Sequence, residues 1–249
     1  MKQLALIFSL LLAVNLLAQA QKKYKPWTEW NEKEALKMLN DSPWGQTQTE
    51  TNTSEMFFSP TTSGGNTRGA ATTTSGSSGI GGTNDRSAQG ATNQAVNVNF
   101  RIRFLSAKPV RQAFARRLML QNPQAAAQLK AFAEQTSNEW IVVAVDYDGS
   151  DQRFTGLVMQ AFNSANTGIL SNAAYLERKD GKRLFLKDYK APISDGMGAK
   201  FIFPRMYEDK PFVTEDSGYL RFYAEVGKEI KLNMRFKVPE MMYEGQLEY

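Results

Sequence analysis

The sequence predicts an α+β, mainly β protein: an antiparallel β-sandwich-like domain with an inserted helical hairpin, preceded by a short helical aromatic arm and a disordered loop. Three observations carry that reading. Short runs of alternating apolar and polar residues recur through residues 96–249. Two apolar stripes at helical spacing follow the first of these runs. A Thr/Ser/Gly-rich stretch at 61–95 separates all of this from a tryptophan-bearing N-terminal segment.

Met1-Lys2-Gln3 opens the chain, Leu4 to Leu17 is apolar except for Ser9 and Asn15, and Ala18-Gln19-Ala20 follows. A positive start, a short apolar core and an A-x-A site make a secretory signal peptide, so residues 1–20 are expected to be cleaved off. The run is too short for a comfortable membrane span, and no transmembrane segment is expected in the mature chain.

Residues 21–60 form the aromatic arm, with Trp27, Trp30 and Trp44. A helix is predicted from Glu32 to Leu39, capped by Asn31 with Glu34 completing a capping box. Asn40-Asp41-Ser42-Pro43 stops it, because proline disfavours helical geometry in its predecessor. Of the 34 residues in 61–94, 26 are Thr, Ser, Gly, Asn or Gln; such a stretch buries too little to offset its conformational entropy and reads as a flexible linker.

Val96, Val98, Phe100, Ile102 and Phe104 alternate with Asn97, Asn99, Arg101 and Arg103, a strand with one buried face. The helical hairpin occupies about 109–135: Pro109 sits at a helix start, Val110, Ala113, Phe114 and Leu118 form one stripe, and Asn122-Pro123 introduces a second helix. Trp140 to Val145 reads as a central strand buried on both faces. Leu157 to Phe162 fits strand or helix. Asp180-Gly181 centres a hairpin, and Phe201-Ile202-Phe203 is a short strand. Leu220 to Val226 and Ile230 to Val238 alternate on either side of Gly227-Lys228, which fits a two-residue type II′ turn. Met241, Tyr243, Leu247 and Tyr249 share one parity and read as a closing strand.

The 249 residues include no histidine and no cysteine. That excludes His-based triads, His-ligated zinc, thiolate nucleophiles and disulfides. The net charge of +5 comes without any nucleic-acid motif, so no nucleic-acid partner is expected. Neither a G-x-S-x-G elbow, an S-x-x-K motif nor a phosphate loop occurs, and no catalytic residue and no cofactor is assigned.

Asp146-Tyr147-Asp148-Gly149-Ser150-Asp151 is the densest acidic cluster, but its spacing is not that of a calcium loop; it reads as a turn, and no metal site is assigned. Glu139, Asp146, Glu177 and Asp188 are conceivable members of a glycosidase pair. Arg101, Arg103, Arg111, Arg116, Arg117 and Lys108 read as a solvated basic face, with an anionic lipid or polymer as the alternative. Trp27, Trp30 and Trp44, with Phe57 and Phe58, either dock the arm on the β domain or bind a sugar or protein partner. Docking requires Trp30 and Trp44 to be buried.

Trp27-x-x-Trp30, Asn40-Asp41-Ser42-Pro43-Trp44 and the ending Met241-Met242-Tyr243-Glu244-Gly245-Gln246-Leu247-Glu248-Tyr249 resemble a family of uncharacterised exported bacterial proteins. The resemblance implies export and supports the extent of the domain, and it carries no activity or ligand. The expected function is an exported, non-enzymatic binding or structural protein of the bacterial cell envelope, with an envelope protein or polysaccharide as possible partner. The alternatives are a carboxylate-dependent hydrolase of polysaccharide and a small outer-membrane β-barrel.

Overall fold

The computed structural model describes residues 25–52, 96–136 and 139–249. The signal sequence expected at 1–20, the linker expected at 61–95, and Phe57 and Phe58 lie outside the described residues.

A 3-10 turn at Trp27–Glu29 leads into helix α1, Glu32–Asn40. Its start is the predicted capping box: Glu34 N donates to Asn31 Oδ1 at 2.8 Å and Asn31 N donates to Glu34 Oε2 at 2.7 Å. The chain then reverses against the helix it has just left. Gly45 is required there, because a Cβ would lie 2.1 Å from the Leu39 carbonyl oxygen.

Strand β1, Gly45–Asn52, follows, where the sequence shows no strand pattern. Its residues, GQTQTETN, offer no apolar face. A strand normally betrays itself by alternating hydrophobicity, and β1 needs none because it is an edge strand, pairing antiparallel with β2, Val96–Phe104. Thr49 and Thr51 bond across to Asn99 and Asn97 at 2.8 Å each. On the other face, Gln48 Nε2 donates to the Lys231 carbonyl at 2.8 Å, and Asn233 N donates to Gln48 Oε1 at 2.8 Å. One side-chain amide thus occupies the free edge of a neighbouring strand as a backbone amide would. We expect Gln48→Ala to cost about 1 kcal/mol and to speed exchange of the Asn233 amide proton. Unchanged exchange at Asn233 would show that Gln48 does not protect that edge.

Among the described residues, two open antiparallel sheets make the domain, beside a small ribbon of β8, Met206–Tyr207, and β9, Lys210–Pro211. The five-stranded sheet runs β1-β2-β3-β7-β6, with β3 Trp140–Gly149, β6 Asp188–Lys190 and β7 Ala199–Pro204. The four-stranded sheet runs β11-β10-β4-β5, with β4 Ala174–Arg178, β5 Arg183–Phe185, β10 Tyr219–Val226 and β11 Ile230–Lys237. Phe222 of β10 meets Phe201 and Phe203 of β7 edge-on, with centroids at 5.2 and 6.4 Å, and Phe104 meets Phe236 at 4.8 Å. The sheets are therefore layers of one core. β3 is the middle strand, and its Ile141, Val143, Ala144 and Val145 are buried.

The helical hairpin is present as α2, Lys108–Gln121, and α3, Ala126–Glu134, joined through a 3-10 turn whose Gln124 N donates to Asn122 Oδ1. The ambiguous stretch is helical: α4 spans Gln152–Ser164 and a single-turn helix, α5, spans Thr167–Leu170. Phe154, Leu157, Val158, Ala161 and Phe162 repeat at helical, not strand, spacing.

Three details differ from expectation. Asp146 and Asp148 stand in β3 instead of a turn, because they are cross-strand partners of Arg101 and Asn99. The β10–β11 connection has three residues, Gly227-Lys228-Glu229, since Val226 pairs with Ile230. The tail is a hairpin, β12 Met242–Tyr243 and β13 Gln246–Leu247. Its central residues Glu244 and Gly245 have φ of 51° and 80°, as a type I′ turn demands. The small-barrel alternative is overturned: the described strands form open sheets with free edges and do not close.

Candidate functional site

One end of the sandwich is left open. There the ends of β1 and β2, helix α4 and the β10–β11 turn surround a cleft of about 770 Å³. Val98, Phe100 and Val158 are buried and form its floor with Val226. Phe154, Leu157 and Ala161 of α4 form one wall, and Ile230 contributes to the other. Polar groups gather at the mouth: Glu50, Thr51, Lys228 and Glu229.

Helix α4 holds this shape through Phe162. Its ring stacks on Tyr147 at 5.7 Å with 14° between planes and reaches Phe100 at 6.4 Å, while Tyr189 Oη donates to its carbonyl at 2.7 Å. Burial pushes the hydroxyls of Tyr147 and Tyr189 above the ordinary phenol range, with Asp146 adding to the rise at Tyr147. With Phe162 facing inward, Leu157 remains about half exposed (54%) at the cleft. It adjoins Phe154, Val158 and Ala161, so the apolar lining of the cleft is contiguous, as ligand pockets are.

Glu50 and Glu229 are the carboxylates lining the cleft. Both are exposed, and Glu50 accepts from Gln48 at 2.6 Å. Neither is set into the floor of the cleft, where the carboxylate pair of a glycosidase would flank its substrate.

The residues singled out in the sequence lie elsewhere. Trp30 is 4% exposed and donates from Nε1 to the Lys25 carbonyl at 2.9 Å. Trp44 is fully buried and donates to the Glu248 carbonyl at 2.8 Å, with Tyr243 edge-on at 5.9 Å. Trp27 is half-buried against the same core. None of the three lines the cleft.

The acidic cluster is committed to arginine. Arg101 pairs with Asp146 at 2.8 Å and with Asp148, and Asn99 donates to Asp148 at 2.9 Å. Among the described residues no group of three His, Cys, Asp or Glu side chains could hold a metal ion. Glu177 lies between Arg183 and Arg221, whose hydrogen bonds hold its carboxyl below the usual range, Arg183 most of all. Asp188 is likewise held low, first by Lys190 and then by Thr167.

The expected solvated basic face is a correction. Arg103 is buried, donating to the Leu39 carbonyl at 3.1 Å and to Asn40 Oδ1 at 2.8 Å, with its guanidinium 5.3 Å from the Phe114 ring centroid. Burial pulls its pKa down to about 10, against the opposing pull of Asp146. Arg111 is buried and donates to the Ser106 carbonyl, and Arg116 donates to that of Trp30. These cations pin helix ends and turns together.

Apart from the helical repeat of α4, no local pattern in the sequence marks the cleft, because its walls come from segments far apart in the chain. Comparison of the chain with protein-family models, curated proteins and solved structures finds no match to any of them.

Proposed function

We propose that this is an exported, non-enzymatic binding protein of the bacterial cell envelope, and that the cleft beside α4 receives the apolar part of an amphipathic ligand. The observation that carries this is the division of the cleft into an apolar floor and a charged mouth. Such a lining gains free energy by removing apolar surface from water, at about 25 cal/mol per Å², and it orients the ligand's polar end outward. Export rests on the opening pattern of residues 1–20. Of the carboxylates named for the hydrolase alternative, Glu139, Asp146, Glu177 and Asp188, none lines the cleft, and the exposure of Glu50 and Glu229 there argues for a charged rim.

Ala161 offers a direct test, because it lies in the wall of the cleft and is only partly buried. Ala161→Trp should fill the space without opening a cavity. We expect the native protein to bind a fluorescent long-chain fatty acid, and the variant to bind it at least tenfold more weakly, a change of about 1.4 kcal/mol, at an unchanged circular dichroism spectrum. Equal affinity would remove the cleft as the ligand site. N-terminal sequencing of the processed protein should begin at Gln21.

A further inference from the structure

The outer face of the four-stranded sheet carries a second arrangement, independent of the cleft. Registry places Arg183, Glu177, Arg221 and Arg235 in one row across β5, β4, β10 and β11. A parallel row holds Phe185, Tyr175, Tyr223 and Asn233. The first row holds three guanidiniums and one carboxylate. Glu177 binds Arg183 at 2.6 Å and Arg221 at 3.2 Å, and no carboxylate among the described residues pairs with Arg235. Arg235 is exposed and rests on the Tyr219 ring at 4.9 Å.

Arg221 and Arg235 are direct cross-strand partners. Like charges in that position repel and cost stability, and folds break such local rules mainly at functional sites. An anion between the two guanidiniums would relieve the repulsion; Lys231 and Lys237 lie on the same face, each already paired, with Glu225 at 3.2 Å and with Glu240 at 2.9 Å. Exposed Phe185 closes the aromatic row at its far end, with Arg183 over the Tyr175 ring at 4.4 Å.

The geometry points to this face as a binding surface for an acidic polysaccharide, a polymer of uronic acid residues. Carboxylates spaced along the polymer meet guanidiniums spaced across adjacent strands, which lie about 4.8 Å apart. Sugar rings pack against exposed Phe185 and half-buried Tyr223, as sugar faces do on aromatic side chains, while Tyr175 lies buried beneath Arg183 and Tyr223 and supports them. The face of a sheet presents only side chains and no free backbone groups, whereas an extended peptide is held by backbone pairing at an edge. Charge and ring therefore favour the glycan.

The test is affinity electrophoresis and calorimetry of the full chain with alginate, neutral dextran and phosphatidylglycerol vesicles. Alginate should bind, dextran should not, and added salt should weaken the complex because exposed charges are screened. Arg235→Gln should weaken alginate binding at least fivefold, while Lys130→Gln, which removes an equal charge from α3, should leave it within twofold. Arg235→Gln should also melt no lower than the native protein, since it removes a repulsion. Equal losses in the two variants, equal retention by dextran, or binding to vesicles without binding to alginate would each overturn the assignment. Ala161→Trp should bind alginate normally, which separates failure at this face from failure at the cleft.

Discussion

Trp44→Ala is expected to lower stability by about 3–5 kcal/mol, the range for deleting a buried large aromatic side chain. The indole is fully buried between the start of β1 and the C-terminal hairpin, against Tyr243, and its Nε1 donates to a carbonyl 204 residues away in sequence. Removing it opens a cavity and leaves the Glu248 carbonyl without that donor. For a domain of this size the loss corresponds to a fall in melting temperature of roughly 10 °C. Trp44→Phe separates the two contributions, because it keeps most of the packing and loses the hydrogen bond; it should cost about 1–2 kcal/mol. Thermal and urea unfolding of both variants gives the measurement. A loss below 1 kcal/mol for the alanine variant would mean that the tail and the N-terminal segment are not held together through this side chain.

The second large effect belongs to Arg103. Arg103→Ala is expected to cost about 2–4 kcal/mol, since it removes buried packing and leaves the Leu39 carbonyl without its donor. The charge itself contributes little of this. Asp146 lies 3.7 Å from Arg103 but keeps its closer bond to Arg101 at 2.8 Å, and desolvation offsets much of any buried pairing. Arg103→Met, similar in length and apolar, should therefore recover about half of the loss over Phe114. Urea unfolding curves should rank native, methionine and alanine in that order. A methionine variant no more stable than the alanine variant would show instead that the polar contacts of the guanidinium, and not its packing over Phe114, hold the site.

Much of the secondary structure is legible from local pattern. The Asn31–Glu34 capping box, the Asp180-Gly181 hairpin and the alternation of β2, β10 and β11 each depend on neighbours in sequence, and each stands in the structure where the sequence puts it. Failures fall where local pattern carries no information. β1 is polar throughout because an edge strand can be stabilised by ladder bonds and by Gln48 without an apolar face. Asp146 and Asp148 look like turn residues until Arg101 is found opposite them. Arg103 and Arg111 look like a solvated face until α1 and the Ser106 turn cover them.

The sequence by itself determined the fold class, an α+β protein built on antiparallel strands. It also determined the missing chemistries: with no histidine and no cysteine, imidazole and thiolate mechanisms are closed to the chain whatever its shape. Only the tertiary structure decided where a ligand could be received. The cleft joins Val98, Leu157 and Ile230, and the cationic face joins Arg183, Arg221 and Arg235. Alternation and capping act over a few residues, so a sequence displays them; a site made where distant segments meet exists only once the two sheets have packed.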